Sequence, residues 1–113
     1  MNGSELLQEA GKLIASGWCQ GAEARGLYGD PVDVCAGAAA RWSLLGSLQA
    51  AAYRDESTAI EDIGLAVAAI AELIVDTSLA HWNDDPSRTE RDVGDLLLRA
   101  EQLATKQLAW AAN

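Results

Sequence analysis

The chain has 113 residues, a net charge of −9, half of its residues apolar and no phenylalanine. That length suffices for one core without obligatory metal or disulfide help, so residues 1–113 are read as a single helical domain. The acidity disfavours direct contact with nucleic-acid phosphates, and the longest apolar stretch, Ile63–Ala71, falls far short of the roughly 20 residues a membrane span requires.

Alanine and leucine dominate the apolar residues, which suits closely approaching helices better than a β-sandwich rich in aromatic and β-branched side chains. The expectation is an all-α fold: a compact four-helix bundle with a short irregular or β-hairpin excursion after the first helix. Charge is spread unevenly. Residues 1–54 carry five acids and four bases (−1), whereas residues 55–113 carry twelve acids and four bases (−8). Between Asp55 and Ser87 there are eight acids and no lysine or arginine. Such a surface is either solubilising or complementary to a basic partner. Met1–Ser4 offers neither the basic region nor the apolar run of a signal peptide. Cys19 and Cys35 are therefore read as free thiols in a reducing cytoplasm.

Ser4 is the expected cap of a first helix whose Leu6, Leu7, Ala10, Leu13 and Ile14 follow helical spacing. Gly17 is placed as its left-handed terminator. Periodicity then vanishes, and Gly26-Leu-Tyr-Gly-Asp30-Pro31 is turn chemistry whose flanks could pair as a hairpin. A second helix is predicted over about 38–53, with Trp42, Leu45, Leu48 and Ala52 in one stripe and Gly46 and Ala50 allowing close helix approach. A third, over about 58–79, is apolar nearly all round at 63–71, which places it centrally or at an oligomer interface. A symmetric homodimer is the expectation for such a surface. Thr89 with Asp92 resembles a capping box that opens a fourth helix reaching about Trp110. Its inward positions are Val93, Leu96, Leu97, Ala100, Ala104 and Leu108, and Arg91–Asp95 and Asp95–Arg99 are i,i+4 pairs on its outer face.

The segment from His81 to Thr89 holds the only histidine, a tryptophan, a proline and an arginine beside paired carboxylates. As structure, Asp84 or Asp85 would turn the chain, Pro86 would stop one helix, Thr89 would start the next and Trp82 would anchor the core. As a site, Trp82 would form a stacking wall, Asn83 and Asp84 would hydrogen-bond a ligand, and Arg88 would hold an anionic group. Gly17-Trp-Cys-Gln-Gly21 is too short for a phosphate loop. Trp18 and Gln20 either pack there or point toward Trp82. Cys19 with His81 matches a cysteine hydrolase in residue types only. Cysteine and histidine spacing supports no zinc site. Glu72 with Asp76, and Asp92 with Asp95, would each share a helix face as Mg²⁺-binding carboxylate pairs do, but without the spacing of the all-α nucleotide pyrophosphohydrolases.

Gly17-Trp18-Cys19-Gln20-Gly21, then Arg41-Trp42 with Leu45-Gly46, then Trp82-Asn83-Asp84 with Arg88-Thr89 resembles an uncharacterised family of small helical domains from actinobacteria and their phages. The resemblance covers most of the chain and implies a helical fold, with no function to transfer. Members often carry a cysteine after the Arg-Trp pair, where this chain has Ser43.

The expectation is a non-enzymatic binding protein, with no cofactor and no metal. Trp18, Gln20, Arg41, Trp82, Asn83, Asp84 and Arg88 are the candidate binding residues. The partner would be a nucleotide-like small molecule or a basic protein, not nucleic acid or membrane. The alternatives are a small hydrolase of nucleotide-like substrates and an acidic inhibitor of a nucleic-acid enzyme.

Overall fold

In a computed structural model that describes residues 1–112, with side chains as far as Gln107, five helices and one short antiparallel ladder appear. Helix α1 (Gly3–Ser16) starts two residues earlier than a cap at Ser4 predicts. Asn2 is the cap: its Oδ1 accepts from Glu5 N–H at 2.8 Å while Glu5 Oε1 accepts from Asn2 N–H at 3.1 Å. Ser4 lies inside the helix and instead meets Thr105 at 2.8 Å. The expected stripe is buried in full: Leu6, Leu7, Ala10, Leu13 and Ile14. Gly17 ends the helix, but not as a left-handed residue. Its φ of 171° is extended backbone, and glycine is required because a Cβ there would collide with the Ala40 carbonyl.

The excursion that follows is partly a hairpin. Strand β1 (Ala24–Arg25) pairs antiparallel with β2 (Arg41–Trp42), and Arg25 also bridges Pro31 across the turn at Gly26–Asp30. Within that turn Gly26 N–H donates to the Asp30 carbonyl at 2.8 Å, and Gly29 takes a φ of +84°. Pairing to Arg41–Trp42 removes these residues from the second helix, so α2 runs over Leu44–Tyr53 rather than from residue 38. Ser43 is its cap, with Oγ accepting from Gly46 N–H at 3.0 Å. The buried face is Leu44, Leu48 and Ala51, while Leu45 and Ala52 are only half-buried. Gly46 does allow a close approach, not to a helix but to the backbone of Glu23.

The predicted third helix divides in two. Helix α3 (Ile60–Leu73) begins where Asp62 Oδ2 accepts from Ala59 N–H at 3.0 Å, and it stops at Ile74, whose backbone is extended. Asp76 follows with a φ of 57°, and Ser78 then caps a short helix α4 (Leu79–Asn83). Two β-branched residues, Ile74 and Val75, ahead of an aspartate in the left-handed region break the helical run that hydropathy alone would carry through. Nor is α3 surrounded. Only Ala66, Ala69 and Ile70 are buried, whereas Ile60 is 85% exposed and Leu65 43% exposed.

Helix α5 (Glu90–Ala112) opens as expected: Thr89 N–H donates to Asp92 Oδ2 at 2.9 Å and Asp92 N–H to Thr89 Oγ1 at 3.2 Å. Val93, Leu96, Leu97, Ala100 and Ala104 are buried, and Leu108 lies outside the described side chains. The predicted pairs Arg91–Asp95 and Asp95–Arg99 are not among the ion pairs formed. Helix α1 is the centre of the packing, against α5, α2 and α3, and α3 also packs on α5. The core is one cluster contributed by all four long helices with Ala24 and Trp42 of the ladder. Among the described residues no helix is long and apolar enough to cross a membrane.

Gly46→Ala is expected to destabilise the protein by about 2–3 kcal/mol, because its methyl meets fixed backbone rather than a movable side chain. Urea unfolding measures this; Gly11→Ala, with open space around its Cβ, should cost nothing and serves as the control.

Candidate functional site

Asn83 joins three segments that are distant in sequence. Its side chain is fully buried at the end of α4, and every hydrogen-bonding position of its amide is used. Oδ1 accepts from Trp18 Nε1–H at 2.8 Å and from Leu44 N–H, in the first turn of α2, at 3.0 Å. Nδ2 donates to the Cys19 carbonyl at 3.1 Å and to Asp84 Oδ1 at 3.0 Å. Gln20 reinforces the junction, with Nε2 donating to the carbonyls of Asn83 at 2.9 Å and Asp85 at 2.8 Å. Gly21 N–H donates to Asp84 Oδ1 at 3.0 Å. No buried side-chain nitrogen or oxygen among the described residues lacks a partner.

Four of the seven candidate residues, Trp18, Gln20, Asn83 and Asp84, therefore converge, and they spend their polar groups on one another and on backbone. Arg41 is exposed on the β2 edge and takes no part. Trp82 and Arg88 form a separate unit. The Arg88 guanidinium carbon lies 3.7 Å from the Trp82 ring centroid, and Nε donates to the Trp82 carbonyl at 2.9 Å. Its Nη2 is 3.9 Å from Asp85 Oδ2, a long contact. The stack lies beside an open cleft of about 540 Å³ that His81, Asp84, Asp85 and Pro86 also line. Arg88 thus occupies the Trp82 face to which it binds, and two carboxylates share the cleft.

Catalytic readings lose their geometry. Cys19 is buried, its Sγ donates to the Ala22 carbonyl at 3.6 Å, and burial pushes the thiol up, opposite to an activated nucleophile. Glu72 and Asp76 do not share a helix face, because α3 ends at Leu73. Asp92 is committed to the cap of α5. Among the described residues no three His, Cys, Asp or Glu side chains gather as a metal site would require.

Two surface features were not legible as a site. The first is a groove of about 320 Å³ between α2 and α3, lined by Leu45, Leu48, Ala52, Tyr53, Ile63 and Val67 with Gln49 the only polar side chain. The second is a notch of about 190 Å³, lined by Glu23, Ser43, Ala80, Asn83 and Asp84, which shares Leu45 with the lining of the groove. The signal for the groove was the excess of apolar residues on α3 over what its packing can bury.

A family model described as a family of unknown function (DUF6197) matches residues 1–103, and the chain belongs to that family. No curated protein and no solved structure matches the chain.

Asn83→Ala is expected to cost about 3–5 kcal/mol, since it strands the Trp18 indole N–H and the Leu44 amide in the interior. Trp18 fluorescence should change together with the unfolding midpoint; a shift below about 1 kcal/mol would show that the junction is dispensable. Asp85 offers a second check. Bonds from the Ser87 N–H and hydroxyl hold its carboxyl below the ordinary carboxylate range, with a smaller pull from Arg88. A depressed folded value stabilises above the unfolded value and is lost as pH falls. The gap in unfolding temperature between the parent and Asp85→Ala should therefore be full at neutral pH and shrink only as pH falls below the unfolded aspartate value of about 4 and on through the lower folded value.

Proposed function

We propose that this protein is a small non-enzymatic binding module whose acidic half engages a basic protein partner. One observation carries the proposal: Glu56, Glu61, Glu72 and Asp76 are exposed and unpaired among the described residues, in a stretch with no lysine or arginine. Other acids of that stretch have local uses. Asp55 accepts from the Met1 amino group at 2.8 Å and from Ser57, Asp62 caps α3, and Asp84 and Asp85 hold the Asn83 junction and its turn. The four free carboxylates add to the negative field of this half, and a cationic partner complements that field and gains a steered approach. An inhibitor seated on the basic site of a nucleic-acid enzyme would be one form of this activity.

The small anionic ligand draws less support. Its stacking wall is covered on one face by Arg88, and Asp84 and Asp85 would stand beside its charge.

A helical peptide of about 18 leucine and lysine residues and its leucine–glutamate counterpart test the proposal. The basic peptide is expected to bind, to perturb amide resonances of residues 55–87, and to weaken as salt rises from about 50 to about 300 mM. Equal affinity for both peptides, or no salt dependence, would overturn it.

A further inference from the structure

We propose that the groove between α2 and α3 seats an amphipathic helix of the basic partner, with the helix's apolar side chains on Leu45, Ala52, Ile63 and Val67 and a basic residue at the Glu23–Asp84 notch. This rests on the acidic-half reading above and specifies where and how that half is used.

Shape and chemistry agree along the track. The groove is almost wholly apolar, and around it Tyr53 is 77% exposed and Ile60 85% exposed. Ile60, Ile63 and Val67 recur at the 3–4 spacing that lines one side of α3, so the open apolar surface is a stripe rather than a scatter. A stripe of this kind accepts the i, i+3, i+4, i+7 anchors of a docked helix. The groove and the notch share Leu45 in their linings, and the exposed carboxylates of Glu23 and Asp84 stand in the notch. Asp84 Oδ1 is already engaged by Gly21 and Asn83, which fixes the carboxylate in place without neutralising it.

Charge selects the occupant. A second copy of this chain carries the same net charge of −9, so two copies brought together repel overall. A lysine- or arginine-bearing helix meets the apolar stripe and complements Glu23 and Asp84 at the notch that shares Leu45 with it.

The leucine–lysine peptide above is the probe, used with the full chain. Val67→Gln is expected to weaken binding by about tenfold, and Tyr53→Ala, at an exposed position that cannot compromise the core, by a few-fold. Glu23→Lys should lower affinity and reduce its salt dependence. Leu98→Gln, an exposed apolar site on α5 outside the groove, should leave affinity unchanged. Salt-dependent binding that ignores both Val67→Gln and Tyr53→Ala would overturn the groove while leaving the acidic-half reading standing. Failure of the peptide to bind at low salt would remove both. Sedimentation as a dimer that Tyr53→Ala converts to monomer would assign the groove to a second copy and overturn the basic-helix occupant.

Discussion

A buried primary amide with all of its hydrogen-bonding capacity used is the constraint on which this architecture turns. Asn83, at the end of α4, closes the fold because the loop after α1 brings the Trp18 indole N–H and the Cys19 carbonyl to its amide and the first turn of α2 brings the Leu44 N–H. Each bond contributes modestly to net stability, but leaving any one of these groups unpaired costs a full desolvation penalty. The network is therefore more demanding than an apolar contact of equal area. It tolerates one geometry, and that geometry fixes the register between residues 17–21 and 82–85. The short ladder at Ala24–Arg25 and Arg41–Trp42 is held next to the same junction, with Ser43 N–H donating to the Glu23 carbonyl and Cys19 N–H to the Trp42 carbonyl.

This explains why the short motifs that carry the family resemblance look like a site and behave as a joint. Gly17 gives way to the Ala40 carbonyl, Trp18 and Gln20 reach Asn83 and its backbone, and Ser43 caps the helix whose first amide Asn83 also receives. Aromatic, amide and carboxylate groups gathered at one place are the composition of a ligand pocket, but they are equally the composition of a buried polar network. What separates the two is whether the polar atoms face a void or one another, and here they face one another. Arg88 follows the same logic at the rim, lying on Trp82 and tied to its carbonyl, so that the guanidinium serves the loop that carries it.

The inward faces of α1 and α5 were legible from spacing alone, since both helices bury one side against the centre of the packing and nothing interrupts them. So was the reciprocal Thr89–Asp92 cap, a purely local device. Illegible were the features set by partners far along the chain. Residues 38–43 have helical composition, yet Arg41–Trp42 are drawn into the ladder by Ala24–Arg25, and α2 begins at Leu44 rather than near residue 38. Residues 74–78 read as helix by hydropathy, although Ile74 and Val75 favour extended backbone and Asp76 adopts the left-handed region. The apolar periodicity of α3 correctly marked surface in excess of the core, but its place between α2 and α3 required the packing of both. The candidate site divided in the same way: the residue types were visible, while their mutual consumption in hydrogen bonds was a matter of three dimensions.

Helix formation accounts for only some of the acids of α3. Glu61 and Asp62 in the first turn of α3 oppose the positive end of the helix dipole and help the helix start. Glu72 does the reverse. It lies in the last turn of α3, where the dipole is negative, with no basic residue in that turn, a placement that costs roughly 0.3–1 kcal/mol. Asp76 adds a second unpaired charge three residues beyond the helix end, on backbone in the left-handed region. Stability alone would favour lysine or arginine at the end of α3, and would favour covering Ile60 and Val67. A chain that keeps anions at the unfavourable end of an apolar helix while leaving that helix partly bare holds two costs that the same cationic, amphipathic partner would relieve together.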